Sequence, residues 1–186
     1  MRWQDQTEAP ALPSAAAFLT RLGVLDSVRL TQRGNTSPRV VITADCLEAI
    51  SFHLAKARTE MGGLLLGRAY AGLNGQADAQ ILVAARSVPS QAFDSTNVSL
   101  RMEAEVWTAA RPFLDKGDIV LGWYHSHPDL GAFFSDTDRT TQRAFFRQPY
   151  SLGIVIDPVR QEMKAYLGPD SAPIPAENVM VYEGHP

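Results

Sequence analysis

Residues 120–128 have the sequence VLGWYHSHP, and residues 129–138 continue it as DLGAFFSDTD. The first part has the apolar character of a buried strand, and the second is typical of a short loop followed by a helix that begins near Ser135. Side chains alternate along a strand, so His125 and His127 point to the same face and their imidazoles can converge on one ion. The rest of the chain is best understood as support for this stretch.

Two neutral imidazoles and one carboxylate form a ligand set typical of catalytic zinc, which leaves a fourth position to water. Asp138 is the natural carboxylate, so the pattern predicts a Zn²⁺ site made of His125, His127 and Asp138. An isolated His-X-His is more often structural, and Ser135-X-X-Asp138 also has the form of a capping box. The cap and the metal site are compatible, because a cap that fixes the helix start also fixes Asp138.

The order His125-Ser126-His127-Pro128 followed by Ser135-X-X-Asp138 resembles the JAMM motif of the JAB1/MPN/Mov34 metalloproteases. That family also uses a glutamate far upstream, at the start of a strand that follows the first helix. Residues 59–67, TEMGGLLLG, are similar to this strand, and Glu60 occupies the matching position. The resemblance covers about residues 39–168 and implies an α+β MPN domain, cytidine-deaminase-like, with a curved mixed or antiparallel sheet flanked by helices.

The resemblance implies a zinc isopeptidase that cuts the amide bond after the C-terminal Gly-Gly of ubiquitin or a ubiquitin-like modifier, in deconjugation or precursor processing. Metal-bound water would be the nucleophile. Glu60, which is not a ligand, would move the proton, and Ser135 would donate to the developing oxyanion. Two alternatives stay open, namely a non-catalytic MPN scaffold that binds partners and a peptidase that trims a sulfur-carrier protein.

The remaining sequence places strands and helices in mixed order, without the regular alternation of a doubly wound sheet, which independently indicates an α+β fold. Predicted strands lie at residues 39–42, 60–70, 79–88, 120–127, 152–156 and 163–167. Predicted helices lie at residues 15–22, 44–57 and 101–114, with a further helix beginning at Ser135.

These patterns divide the chain into an N-terminal extension (1–35), a catalytic domain (36–170) and a C-terminal tail (171–186). The polar stretch 89–100 ends in a predicted short edge strand that includes Val98 and Ser99. An extended Gly-Gly tail could pair with such an edge by β-augmentation. Val98 and Ser99 are therefore candidate substrate-binding residues.

The composition is ordinary for one globular domain, with 186 residues, 45% hydrophobic and 20% charged. A net charge of −3 does not favour a nucleic-acid partner. The single cysteine, Cys46, excludes an internal disulfide and a cysteine-based zinc site, and it argues against the nucleobase deaminases. The sequence has no run of about 18 apolar residues and no signal-peptide pattern, so we expect a cytoplasmic protein without a membrane contact. It does not predict an oligomeric state.

Overall fold

The computed structural model describes residues 11–31, 38–56, 58–72, 79–90 and 104–184. In these parts of the chain the helices are α1 (Ala16–Leu19), α2 (Val24–Thr31), α3 (Ala44–Leu54), α4 (Ala104–Leu114) and α5 (Asp136–Phe145). The strands are β1 (Arg39–Thr43), β2 (Gly62–Ala71), β3 (Ala79–Pro89), β4 (Ile119–Ser126), β5 (Leu152–Asp157), β6 (Glu162–Leu167), β7 (Ala172–Ile174) and β8 (Val179–Tyr182). A single 3-10 turn precedes β8. None of the described helices is long and apolar enough to cross a membrane.

The eight strands form one sheet in the order β7-β6-β5-β4-β2-β3-β1-β8. Strand β1 is parallel to β3 and β8, and β4 is parallel to β5. The other neighbouring pairs are antiparallel. The predicted α+β fold with a curved, mixed sheet is confirmed.

Strand β4 lies inside the sheet and separates two layers of core. Tyr124 faces α3, where it packs with Ile50 and Leu54. Trp123 faces the other side, together with Val106 of α4 and Phe134 of the loop that precedes α5. All of these side chains are buried. Because strand side chains alternate, His125 lies on the same side as Trp123, beneath α4 and α5 rather than α3.

Short-range chemistry explains where α3 begins and how closely β4 and β5 approach. Thr43 has an extended backbone and its side chain accepts a hydrogen bond from the Cys46 N–H, which is a standard N-cap. At Gly122 an added Cβ would lie 1.7 Å from the Leu152 carbonyl oxygen. Only glycine therefore permits the observed pairing of β4 with β5 at this point.

Both ends of the described chain pack on the sheet. Phe18 of α1 is buried and stacks on Tyr70 of β2, with ring centres 5.2 Å apart. The region 171–186, which the sequence analysis assigns to a tail, contributes β7 beside β6 and β8 beside β1. These strands have three and four residues, which is too short for a clear periodic pattern. The proposed edge strand at Val98 and Ser99 lies outside the described residues.

Candidate metal centre

The two histidines and Asp138 meet where β4 ends and α5 begins. His125 Nε2 lies 3.2 Å from Asp138 Oδ1, and His127 Nε2 lies 3.4 Å from Asp138 Oδ2. One donor atom from each residue can be chosen so that all three lie within 4.8 Å of one another. The exposed fractions are 1% for His125, 4% for His127 and 5% for Asp138. The structure thus brings the three predicted ligands into one buried group.

Unpaired nitrogen atoms in this group fit a metal ion. Among the described residues, neither ring nitrogen of His125 makes a hydrogen bond, nor does His127 Nδ1, although all three atoms are buried. The 3.2 Å contact between His125 and Asp138 is within ion-pair distance but lacks hydrogen-bond geometry. A buried polar atom without a partner costs about 1–3 kcal/mol, and a bound cation would relieve that penalty at His125 Nε2, the ring nitrogen that faces Asp138. Two imidazoles and a carboxylate suit a divalent transition metal.

Electrostatics at the site favour the metal-binding protonation states of His125 and Asp138 but not that of His127. Burial lowers the pKa of His125 in spite of the nearby Asp138 carboxylate. Burial opposes ionisation of Asp138, but its contacts with His125, His127 and Ser135 outweigh this and keep its pKa well below the ordinary value. For His127 burial lowers the pKa, but Asp138 and Glu60 more than compensate and raise it. A bound cation would reverse that preference, because it repels the imidazolium form.

The predicted capping box is present at the start of α5. The Ser135 side chain accepts a hydrogen bond from the Asp138 N–H, and Asp138 Oδ2 accepts from the Ser135 N–H at 2.7 Å. The Ser135 hydroxyl also donates to Asp138 Oδ2 at 2.7 Å. These bonds fix the Asp138 carboxylate. They also direct the Ser135 hydroxyl proton toward Asp138 rather than toward an incoming carbonyl.

Glu60 reaches the site through the pairing of β2 with β4. Gly62 is opposite His125 in that pair. Just before β2, the Met61 N–H donates to Ser126 Oγ at 3.0 Å, and the Ser126 N–H donates to the Met61 carbonyl at 2.8 Å. Glu60 Oε1 consequently lies 3.7 Å from His127 Nε2, with its side chain 32% exposed. Glu60 borders the ligand group without belonging to it.

Asp157, which lies just beyond the strand predicted at residues 152–156, supports the site from the end of β5. Its buried carboxylate accepts four backbone hydrogen bonds, from the N–H groups of Asp129, Gly131, Val159 and Arg160. The first two belong to the loop that joins His127 to α5. An aspartate before proline often bonds to the backbone a few residues ahead, but its bonds to a distant loop have no local pattern.

The charge of Asp157 is stabilised by these bonds. Burial by itself would raise the pKa of Asp157, but the backbone N–H groups of Arg160, Asp129, Gly131 and Val159 together lower it to about 2. Asp157 is therefore ionised at neutral pH, when its hydrogen bonds to the loop are strongest.

Two further side chains from β6 bind the same loop. Glu162 Oε2 accepts from the Ala132 N–H at 3.2 Å, and the Tyr166 hydroxyl accepts from the Phe134 N–H at 3.2 Å. The loop needs such support because Asp129 has a φ of 64°, which is uncommon outside glycine. The path from His127 to the helix that carries Asp138 is thus determined by contacts with β5 and β6.

Trp123 orients His125 from the core side. The two rings are nearly parallel, with centres 4.4 Å apart. The Trp123 indole N–H donates to Gln142 Oε1, and the Gln142 amide donates to the carbonyls of Ser151 and Gly168. Since the Trp123 and Gln142 side chains are both buried, the His125 ring that stacks on Trp123 has little freedom to rotate. On the solvent side, the Phe133 ring lies edge-on to His127, with centres 5.0 Å apart.

The fold and this site define an α+β domain with a buried group of side chains that could hold a metal ion. The chain matches the family described as prokaryotic homologs of the JAB domain over residues 43–166, a range that includes Glu60, both histidines and Asp138. The protein therefore belongs to the JAB/MPN family, in agreement with the resemblance in its sequence.

Individual relatives match over shorter stretches. COP9 signalosome complex subunit 5 of Eremothecium gossypii is 30% identical over 121 residues, covering 63% of this chain and 27% of that protein. The 26S proteasome regulatory subunit rpn11 of Schizosaccharomyces pombe is 41% identical over 44 residues, covering 23% of this chain and 14% of that protein. The NAD(+) hydrolase TcpA of a Theionarchaea archaeon is 39% identical over 75 residues, covering 40% of this chain and 22% of that protein. The chain thus spans less than a third of the length of each of these relatives.

A solved structure supports the fold. The solution structure of protein DSY2949 from Desulfitobacterium hafniense superposes with a TM-score of 0.58 and 24% sequence identity. The match covers 78% of this chain and 94% of that one. At this level of identity the likeness concerns the fold alone.

The bonds of Asp157 predict that it controls metal affinity from outside the ligand group. Asp157→Asn replaces one acceptor oxygen with an NH₂ group that faces backbone donors, so the loop after His127 should shift. We expect the dissociation constant for Zn²⁺, measured by chelator competition, to rise by about 10–100-fold, as is usual when a partner of the ligands is changed.

Asp170→Asn is the matched control, because Asp170 is exposed and also lies in a turn. It should leave Zn²⁺ affinity unchanged. Unfolding of both metal-free variants, followed by circular dichroism, separates a local effect from general destabilisation. Unaltered Zn²⁺ affinity in folded Asp157→Asn protein would show that these bonds do not govern the site.

Proposed function

We propose that this protein is a zinc-dependent isopeptidase that hydrolyses the amide bond after the C-terminal Gly-Gly of a ubiquitin-like modifier. The observation that carries the proposal is the buried group of His125, His127 and Asp138 with Glu60 at its border. Membership of the JAB/MPN family, which includes metalloisopeptidases, supports it. The similarity to a proteasome regulatory subunit and to a signalosome subunit agrees with a modifier as partner.

His125, His127 and Asp138 would hold the zinc ion, which when bound supplies a Lewis acid and a water molecule of lowered pKa. Their burial excludes bulk water from the ligand side of the site, where Trp123 covers His125. The Ser135 cap keeps the Asp138 carboxylate in one orientation. These residues therefore supply a rigid ligand set with little reorganisation on binding.

Glu60 would act as general base and then as general acid. Amide hydrolysis requires that a proton be taken from the attacking water and given to the departing amine, because an unprotonated amine is a poor leaving group. A carboxylate that is not a ligand suits both steps. Glu60 is partly exposed and lies 3.7 Å from His127 Nε2, so it borders both the ligands and the solvent from which substrate arrives.

Ser135 would donate its hydroxyl to the developing oxyanion. In the structure this proton points to Asp138 Oδ2. The proposed role thus requires the hydroxyl to rotate when the substrate carbonyl arrives, while the two backbone bonds of the capping box can remain in place.

Two other functions follow from the same family, a non-catalytic scaffold and a peptidase that trims a sulfur-carrier protein. A metal-free scaffold has no use for the unpaired buried Nε2 of His125, which favours the metal-dependent enzyme. The trimming peptidase would share the chemistry and differ in substrate. Cleavage of a modifier–protein isopeptide compared with a linear modifier precursor distinguishes the two.

Zinc should bind at one ion per chain and depend on the proposed ligands. We expect His127→Ala and Asp138→Asn proteins to lose stoichiometric zinc, measured by metal analysis after gel filtration. Asp136→Asn should retain it, because Asp136 is exposed and lies outside the ligand group although it is only two residues from Asp138. Equal zinc content in wild type and His127→Ala would refute the assignment.

Glu60→Gln separates the enzyme from the scaffold. The substitution keeps the size of the side chain and removes its ability to accept a proton, so hydrolysis of a Gly-Gly-linked substrate should fall by about 10²–10⁴-fold. Zinc content and substrate binding should be retained. Glu48→Gln on the exposed side of α3 is the matched control and should keep full activity. An active Glu60→Gln protein would exclude the mechanism.

We also propose that Val98 and Ser99 border the substrate tail. These residues lie outside the described part of the chain, but the preceding strand β3 ends near the site, where the Ser90 N–H donates to the Gly62 carbonyl at 2.9 Å. Proline removes the N–H needed to pair with an extended peptide. Val98→Pro or Ser99→Pro should raise KM while zinc is retained; unchanged kinetics in both variants would eliminate this role.

A further inference from the structure

A cavity of about 490 Å³ lies away from the metal centre, against strands β2 and β3. Gly62, at one end of β2, is opposite His125, whereas Arg68 and Tyr70 of the same strand line the cavity. Arg68 is six positions further along the strand than Gly62, which corresponds to about 20 Å. None of the proposed ligands or Glu60 lines this cavity, so it is a separate feature of the fold.

The cavity is a recess in the fold rather than a patch on its surface. Its lining includes the buried side chains of Thr43, Cys46, Tyr70 and Val83. Phe113, from the end of α4, adds a partly exposed aromatic wall. Its volume lies within the range of about 300–1,000 Å³ that is usual for small-molecule sites, and its lining combines apolar and polar groups as such sites do.

Positive charge is concentrated at this recess. The lining contains four cationic side chains and two carboxylates, namely Arg21, Arg68, Arg86, Lys116, Asp45 and Asp118. The excess of two positive charges contrasts with the net charge of −3 for the whole chain. An anion in the recess would therefore be attracted by a local field that the composition of the chain does not suggest.

Asp118 and Phe113 preorganise two of the cations. One carboxylate, Asp118, forms ion pairs with both Arg86 and Arg68 and cannot neutralise both. The Arg86 guanidinium also lies over the Phe113 ring, 5.5 Å from its centre. Since these contacts already restrict the arginine side chains, a ligand would lose less free energy in ordering them.

We propose that this recess binds a small phosphorylated ligand that carries an aromatic group, of which a nucleoside monophosphate is the simplest example. A phosphate monoester carries a charge of about −1.5 to −2 at pH 7, which matches the excess of two positive charges. Arginine is well suited to bidentate contact with phosphate oxygens. Phe113, whose ring is partly exposed, supplies an aromatic wall against which a planar group can pack.

Calorimetric titration of the full chain with AMP, with adenosine and with inorganic phosphate tests the proposal. We expect AMP to bind at least tenfold more tightly than adenosine, because adenosine lacks the charge, and more tightly than inorganic phosphate, because phosphate lacks the aromatic contact. Affinity for AMP should fall as salt is raised. If AMP does not bind, or binds no better than adenosine, the proposal is wrong.

Variants locate the binding. Arg86→Gln should raise the dissociation constant for AMP by about tenfold or more, the effect expected for a lost charge-assisted hydrogen bond. The double variant Arg21→Gln, Lys116→Gln changes two exposed residues of the recess. It provides the same test of AMP affinity if Arg86→Gln impairs folding. The control is Arg143→Gln with Arg147→Gln, which removes the same charge from exposed sites near the end of α5. Equal AMP affinity in the recess variants and the control would place binding elsewhere.

Discussion

The pairing of β2 with β4 is the constraint on which the proposed active site depends. It sets Gly62 opposite His125 and joins Met61 to Ser126 through hydrogen bonds on both sides. Because strand side chains alternate, a register change of one residue would turn the histidines to the opposite face from Glu60. Ser126 is therefore more than a spacer between two ligands: its hydroxyl accepts the Met61 N–H and so helps to determine where the upstream glutamate lies.

A second constraint determines the position of Asp138. Parallel pairing places Ser126 of β4 beside Ile156 of β5, so that the end of β5 adjoins the loop that follows His127. Asp157 then binds two N–H groups of that loop, and Glu162 binds a third. The capping box completes the arrangement at the helix start. The position of Asp138 is thus set by bonds from β5 and β6 to the preceding loop and by the capping box of its own helix.

The ligand group could be predicted from the sequence because its members lie within one short stretch. Strand alternation places His125 and His127 on the same face. Glu60 was accessible only through the resemblance to a known motif, since an isolated charge before a strand has no local pattern that separates it from a solvated residue. The role of Asp157 was missed because two of its partners, Asp129 and Gly131, belong to a distant loop that only the parallel β4–β5 pairing brings near. The strands β7 and β8 were missed because short segments carry too little periodicity, and β8 joins the sheet beside β1, far away in sequence.

The proposed ligands and Glu60 differ in their exposure to solvent. The proposed ligands are almost fully enclosed. Burial favours neutral His125, whereas the contacts of Asp138 with its three polar partners outweigh burial and keep it ionised. Such enclosure would hinder a residue that must exchange protons with water and with a departing amine. Glu60 instead comes from the start of β2 and keeps about a third of its side chain exposed. The proposed ligands can therefore remain enclosed while the proposed proton carrier stays in contact with solvent, a separation that one continuous segment of chain would not easily provide.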